Sequence, residues 1–252
     1  MSPRSIVASA ALLVAVIGFG CTDVSGNKGS ILSIQFDSLS APSVVLGDTL
    51  RDSTGVVSIP VVRAFDFDGN KIAAPTVRFQ SPDSGVKVDS ITGLITADSL
   101  RPTQARIFAT VGSLQAVQRV DVTLRPDNIA AVNAVDSLLY SLVDTTVDVS
   151  PSLQVKLTHG TAPNDSAVKS YVVSYAIVSQ KHPLLGELVN DGGRPSRIDT
   201  TSTDGVAGRA IRMHPLNLQA NIDTILVDAT AKYRGVPVAG SPVRFILILK
   251  PR

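Results

Sequence analysis

The chain has 252 residues, of which 44% are hydrophobic and 4% aromatic, and its 23 Lys and Arg against 21 Asp and Glu give a formal net charge of +2. Such a chain is too apolar for intrinsic disorder and lacks the concentrated basic face that nucleic acid requires, so we expect no nucleic-acid partner. The single cysteine excludes an internal disulfide. Glu187 is the only glutamate, and this strong bias towards aspartate argues against a helical protein.

The first residues have the pattern of an export signal. Arg4 precedes an uncharged apolar stretch from Ile6 to Ile17, which is shorter than the roughly 20 residues of a membrane-spanning helix. Small residues then lead to Cys21, and the segment resembles a bacterial lipoprotein signal, although Gly18 stands where that family usually has Leu. The resemblance implies that residues 1–20 are a cleaved signal peptide and that Cys21 carries the lipid.

Two other interpretations of this segment stay open. The signal could be an ordinary secretory one that leaves Cys21 as a free thiol, or an uncleaved anchor. In the lipoprotein interpretation, the polar, Gly- and Ser-rich residues 21–30 form a flexible tether that spans roughly 16 Å. We therefore expect a cell-envelope protein that contacts the membrane through its N-terminal lipid. By resemblance to enteric lipoproteins, Thr22 favours the outer membrane or cell surface, and a secreted form is the alternative.

From residue 31 onwards the hydrophobic pattern has a period of two. Apolar and polar residues alternate in Ala105–Val111, Leu153–Leu157 and Val243–Leu249, and Gly, Pro, Asn and Asp separate such stretches at short intervals. This pattern predicts an all-β sandwich or barrel. Residues 130–142 also fit a helical spacing, but we predict a strand over 136–142.

A cluster of turn residues at Arg125–Asn128 divides the chain into two parts. Residues 31–125 and 126–252 are each close to the roughly 100 residues of an immunoglobulin-type sandwich. We therefore predict two tandem immunoglobulin-like β-sandwiches that follow a cleaved signal peptide.

Motifs in the first part carry a resemblance to a known family. VRFQSPDSGVKVDSITGLITA (residues 77–97), ARIFATVG (105–112) and VDVTL (120–124) resemble a group-2 bacterial immunoglobulin-like domain. Phe79 stands where that family often has Trp, and a large ring still fills the middle of a sandwich.

The second part resembles a different subfamily. Thr203-Asp204 followed by Gly208-Arg209-Ala210 is similar to the signature of invasin-type, group-1 bacterial immunoglobulin-like domains, with one extra residue in the spacing. Residues 225–249 resemble the last two strands of that family. The resemblance implies a second immunoglobulin-like sandwich.

Metal and cofactor sites have weak support. Asp66, Asp68 and Asn70 could seed a calcium loop, but Lys71 and Val77 occupy positions where an EF-hand needs Gly and Glu. Otherwise these side chains cap a hairpin turn. The three histidines are far apart and without zinc-site spacing, so we predict no metal and no cofactor.

No catalytic motif is present either, because the sequence contains neither a G-x-S-x-G elbow nor a phosphate-binding glycine loop. We predict that the protein is not an enzyme. Tyr171 and Tyr175 differ by four positions, so on a regular strand they share a face and could form a small binding platform; the alternative is that both rings are half-buried.

The C-terminal strand ends in Lys250-Pro251-Arg252. If this strand is an edge, these residues protect it against further pairing, and the opposing interpretation is that a partner adds a strand there.

Taken together, these patterns predict a non-enzymatic cell-envelope lipoprotein that displays immunoglobulin-like modules for adhesion or scaffold binding. Its contact surface would lie in loops at the distal end of the sandwiches, because rigid sheets position variable loops. The partner would be an unidentified protein or glycan. The alternatives are a secreted or surface carbohydrate-binding module and a subunit of a larger envelope assembly.

Overall fold

The computed structural model describes residues 30–133, 135–143, 148–215 and 223–251. These residues form 21 β-strands and no α-helix, and they include no helix that could span a membrane. The predicted signal peptide and Cys21 lie outside the described residues. The prediction of an all-β chain is confirmed.

The first nine strands form an N-terminal sandwich. They are β1 (Ser33–Phe36), β2 (Ser43–Val45), β3 (Val62–Phe65), β4 (Lys71–Ile72), β5 (Arg78–Gln80), β6 (Val86–Val88), β7 (Ile95–Ala97), β8 (Ala105–Val111) and β9 (Leu114–Thr123). One sheet has the order β1-β3-β4 and the other β2-β9-β8-β5, and β6 and β7 pair as a separate hairpin.

The other strands form a C-terminal sandwich. They are β10 (Asn128–Ala131), β11 (Ser137–Tyr140), β12 (Leu153–His159), β13 (Ser166–Ala167), β14 (Val172–Ser179), β15 (Gly186–Val189), β16 (Ile198–Thr200), β17 (Val206–Met213), β18 (Thr224–Thr230), β19 (Lys232–Tyr233), β20 (Val236–Pro237) and β21 (Val243–Pro251). One sheet has the order β10-β12-β17-β15, with β13 beside β12. The other has the order β11-β21-β18-β14-β16, and β19 pairs with β20.

Both sandwiches begin with the same strand switch. In the first, β1 pairs antiparallel with β3 in one sheet, and β2 pairs parallel with β9 in the other. In the second, β10 pairs antiparallel with β12, and β11 pairs parallel with β21. Lettered in chain order, β10-β12-β17-β15 is the A-B-E-D sheet and β14-β18-β21 the C-F-G sheet of an immunoglobulin-type domain. The prediction of two immunoglobulin-like sandwiches is therefore confirmed.

Each sandwich encloses its own apolar core. The core is built from alternate residues of the strands, whose side chains point inward. In the N-terminal core the Phe79 ring meets Phe36 edge to face, with ring centroids 6.2 Å apart. This is the position where the resembled family often has Trp, and the two rings fill the space between the sheets. The exact boundary between the two parts stays a prediction.

The predicted alternating strands are observed as β8, β12 and β21. The ambiguous segment 130–142 contains strand β11 and, in its described residues, no helix. The idea that the C-terminal strand is an edge is wrong, because β21 lies between β18 and β11. The parallel partner β11 lies more than a hundred positions earlier in the chain, so the alternation within β21 could not reveal it.

The register of β21 predicts very different costs for two adjacent substitutions. Leu247 is 0% exposed and Ile246 is 52% exposed. We expect Leu247→Ala to lower the free energy of unfolding by about 2–5 kcal/mol, and Ile246→Ala by about 0.5 kcal/mol. Urea denaturation of the full chain measures both. Similar losses for the two variants would contradict the register.

Candidate functional site

The two sandwiches meet at a polar junction centred on Asp48, in the turn that follows β2. Its carboxylate is 4% exposed and accepts hydrogen bonds from Arg51 Nε at 3.1 Å and Arg234 Nε at 2.9 Å. Arg51 belongs to the same sandwich as Asp48, whereas Arg234 lies in the β19–β20 turn of the C-terminal sandwich. A buried charge of the first sandwich is therefore neutralised partly by the second.

Asp48 is ionised in this setting. Burial alone would raise the pKa of Asp48, but hydrogen bonds from Arg234, Arg51 and the Thr49 backbone N–H outweigh burial and hold the pKa well below its usual range. For a carboxylate with a depressed pKa, the stabilisation is present above the ordinary aspartate pKa and is lost as pH falls towards the folded-state value. The junction is therefore fully charged at neutral pH.

Side-chain hydroxyls add direct bonds across the junction. Ser43 Oγ donates to Ser170 O at 2.6 Å, and Thr123 Oγ1 donates to Lys169 O at 2.6 Å. In return, Ser170 Oγ donates to a carboxylate oxygen of Asp121 at 2.9 Å. Because these bonds join the ends of β2 and β9 to the loop before β14, the sandwiches meet end to end.

A close approach of two backbones completes the junction. Gly55 has φ +92°, and a Cβ at this position would lie 2.0 Å from Gly235 N. The cavity that remains beside Tyr171 and Tyr233 measures only about 40 Å³. This volume is far below that of a small-molecule site, so the junction is a structural joint.

An open cleft of about 1150 Å³ lies at the opposite end of the C-terminal sandwich. β14 starts beside the junction at Val172, and its eight residues extend about 26 Å, so that its far end lines the cleft. The apolar lining consists of Ala176, Ile177, Pro183, Leu184, Leu188, Pro195, Met213 and Pro215, and the polar lining of Gln180, Glu187, Ser196, Arg197, Arg212 and His214.

The cleft forms where one chain segment crosses between the two sheets. Tyr175 N donates to Arg197 O at 2.7 Å on the β14 side, and Ser196 N donates to Leu188 O at 2.9 Å on the β15 side. The crossing segment therefore closes one end of the groove between β14 and β15 and leaves the other end open.

The charged groups of the cleft are unevenly matched. Glu187 Oε1 lies 3.5 Å from Arg212 Nη1 and 3.6 Å from His214 Nε2. Arg197 is exposed and, among the described residues, forms no ion pair. With two guanidinium groups against one carboxylate, the lining has an excess of positive charge when His214 is neutral.

The predicted tyrosine platform is wrong. Tyr175 is 1% exposed, and its hydroxyl donates to Ala207 O at 2.9 Å inside the core. Tyr171 lies at the junction, where its hydroxyl donates to Lys232 O at 2.7 Å. Burial raises the pKa of both phenols. The two side chains do have the spacing of a shared face, but the face is directed towards the core.

Asp66, which belongs to the weak calcium candidate, caps a turn. Asp66 Oδ1 accepts the backbone N–H groups of Asp68 at 2.9 Å and Asn70 at 2.8 Å, in the turn between β3 and β4. In the part of the chain that the structure describes, no group of three or more His, Cys, Asp or Glu could hold a metal ion. The oxygens of Asp66 stabilise the turn.

No pattern in the sequence points to the cleft. Its charged residues come from β15, β17 and two loops, and Glu187, Arg197 and Arg212 are 10 to 25 positions apart in the chain. In the sequence, Glu187 is notable only as the single glutamate, and His214 only as a histidine before a proline. No local motif marks such a site, because the pairing of Glu187 with Arg212 across two strands and the crossing segment that carries Arg197 bring these residues together.

Comparisons with known proteins give likeness at the level of structure only. No family profile matches the chain, and no curated protein matches it. Domains 4 and 5 of the S-layer protein SbsC align at 12% identity over 88% of this chain and 99% of that chain, with a TM-score of 0.31. Human protocadherin-24 EC1-2 aligns at 12% identity over 88% and 99%, with a TM-score of 0.28.

The titin domains z1z2, solved in complex with telethonin, align at 14% identity over 88% of this chain and 98% of that chain, with a TM-score of 0.25. All three identities and TM-scores are too low to transfer a function. Function is therefore inferred from the geometry of this chain.

The junction predicts that Arg234→Ala loosens the docking of the two sandwiches without unfolding either one. Loss of a hydrogen bond to a charged group removes about 1.5–3 kcal/mol. Small-angle scattering should therefore show a broader distribution of distances in the full chain. The matched control is Arg244→Ala, because both arginine side chains are 53% exposed and Arg244 pairs with Asp228 within one sandwich. Unchanged scattering in Arg234→Ala would rule out this role.

The backbone contact predicts a larger effect for Gly55→Ala than for Gly69→Ala. Both glycines have positive φ, +92° and +79°, but a Cβ on Gly69 would meet nothing within 4 Å. The difference between the variants therefore isolates the collision with Gly235. We expect Gly69→Ala to lower the free energy of unfolding by about 1–2 kcal/mol, and only Gly55→Ala to separate the sandwiches in scattering. Equal behaviour of the two variants would contradict the close approach.

Proposed function

We propose that this chain is a non-enzymatic cell-envelope lipoprotein whose two sandwiches form a stiff arm that displays a binding surface away from the membrane. The observation that carries the proposal is the Asp48 junction, which docks the sandwiches end to end. A stiff arm keeps a fixed distance between its anchored end and its exposed end, as a display role requires.

The direction of the chain supports this arrangement. Ser33, at the start of β1, pairs with Phe65, at the end of β3. Phe65 is ten positions along the chain from Gly55, which lies at the junction. At about 3.3 Å per residue, the start of β1 lies up to roughly 30 Å from the junction. A tether that joins β1 therefore enters at one end of the arm, and the cleft lies at the other.

The proposed anchor is a lipid on Cys21, with residues 1–20 removed and the outer membrane or cell surface as the location. Support for this part comes from the sequence alone. Likewise, we assign the N-terminal sandwich to the group-2 bacterial immunoglobulin-like domains and the C-terminal one to the invasin-type group. These assignments rest on the motifs at residues 77–124 and 203–249.

The chemistry of the cleft favours binding over catalysis. Among the described residues, Ser196 is the one hydroxyl of the lining, and its Oγ donates to Ile198 O at 3.0 Å rather than to a general base. The described lining also contains no Phe, Tyr or Trp ring, and the tyrosine platform is absent. A sugar-binding function, which uses such rings, has lost its support, so a protein partner is the better candidate.

The N-terminal anchor is tested by intact-mass measurement of the chain from membrane and culture-medium fractions. We expect a diacylated Cys21 as the N-terminus in the membrane fraction, and accumulation of unprocessed chain in Cys21→Ser. Ser25→Ala, in the same tether, is the control and should be processed normally. An unmodified N-terminus found in the medium would replace the lipoprotein by a secreted binding protein.

A further inference from the structure

We propose that the distal cleft binds an extended, acidic segment of a partner protein, which adds as a strand to the open edge of β14. This inference rests on the proposed function, because it names the partner of the surface that the arm displays. Three observations carry it: an interrupted strand edge, an apolar groove and an excess of positive charge.

The edge of β14 becomes open at Ile177. β16 pairs with β14 in the register Val173↔Asp199, and the bond from Tyr175 N to Arg197 O continues it. The next residue in this register opposite Ile177 would be Pro195. Pro195 has no N–H to donate, and it bridges to Val189 in the other sheet instead.

The backbone of Ile177 is therefore directed into the cleft. In an antiparallel ladder, successive residues turn their N–H and C=O groups to opposite sides, so Tyr175 and Ile177 turn theirs to the same side. At Tyr175 this side is occupied by Arg197. At Ile177 it faces the cleft, so an incoming extended backbone would continue the ladder that β16 leaves.

The groove supplies apolar contacts on either side of that edge. Ile177, Leu184 and Met213 line it, and Leu184 is exposed. An added strand presents alternate side chains to opposite sides, so every second residue of the segment would contact this apolar lining. The segment should therefore alternate apolar and polar residues.

The positive charge of the cleft predicts that the polar residues of the partner segment are acidic. Arg197 has no acidic partner among the described residues, and Arg212 shares Glu187 with His214. A guanidinium binds a carboxylate through strong charge-assisted hydrogen bonds. A second copy of this chain that docked through the same cleft would bring the same positive excess and be repelled, whereas an acidic segment complements it.

The test uses the full chain and a fluorescent peptide of alternating Val and Asp, acetyl-VDVDVDV-amide, with binding followed by anisotropy. The comparison peptides replace Asp by Lys or by Ser, and a fourth peptide keeps Asp but is N-methylated at alternate residues. We expect saturable binding of the acidic peptide only. N-methylation should abolish it, because methylated amides cannot donate to the edge of β14.

Arg197→Glu should weaken binding of the acidic peptide at least about tenfold, as expected for loss of a charge-assisted hydrogen bond. The matched control is Arg119→Glu, since Arg119 is likewise exposed and, in the described residues, forms no ion pair. It lies on β9 of the other sandwich and should leave binding unchanged.

Four results of the peptide experiments would overturn the proposal. They are the absence of saturable binding, equal binding of the Lys peptide, equal binding of the N-methylated peptide, and unchanged affinity in Arg197→Glu. Self-association of the full chain that is lost in Arg197→Glu would identify a second copy as the occupant and also overturn it. If the chain is lipidated and membrane-bound but does not bind the peptide, this inference alone is rejected and the proposed display function still holds.

Discussion

A single buried carboxylate joins the two halves of this protein. Asp48 lies at the end of one sandwich, and the two guanidinium groups that neutralise it come from different sandwiches. Removing Arg234 leaves the buried Asp48 carboxylate with Arg51 as its remaining guanidinium partner, which is more costly than losing a pair in which both groups are exposed. The docking of the second sandwich is therefore coupled to the local stability of the first.

The rest of the architecture follows from that joint. Ser43, Thr123 and Ser170 add direct bonds around Asp48, and Gly55 lets two backbones approach closely, so that several independent contacts hold the two sandwiches together. The position of the cleft relative to the N-terminal end of the arm is set by this joint.

The cleft has a local cause in the strand edges of the C-terminal sandwich. Pro195 ends the pairing of the β16 segment with β14, and the register of β14 against β18 shifts between Ile177 and Ser179. A bulge bends a strand and redirects its edge. Both features lie at the end of β14 that lines the cleft, to which Glu187 and Arg212 contribute their charges.

The tyrosines and the last strand show where prediction from sequence succeeds and where it stops. Alternation correctly places Tyr171 and Tyr175 on one face of an extended segment, but a period of two is the same whichever face is buried. In the same way, β21 has the pattern of a strand with one inward face, yet its position between β18 and β11 depends on a distant parallel partner. Local patterns hold no information on which strand lies alongside.

The sequence pattern was sufficient to predict the all-β class, the alternating strands observed as β8, β12 and β21, and the turn residues between strands. Each of these depends on the period of hydrophobic side chains and on turn residues, which are properties of neighbours in the chain. The Asp48–Arg234 contact, whose partners are 186 positions apart, and the cleft are visible only in the folded chain. Both depend on how complete sheets pack, and packing brings together side chains whose separation in sequence carries no signal of their contact.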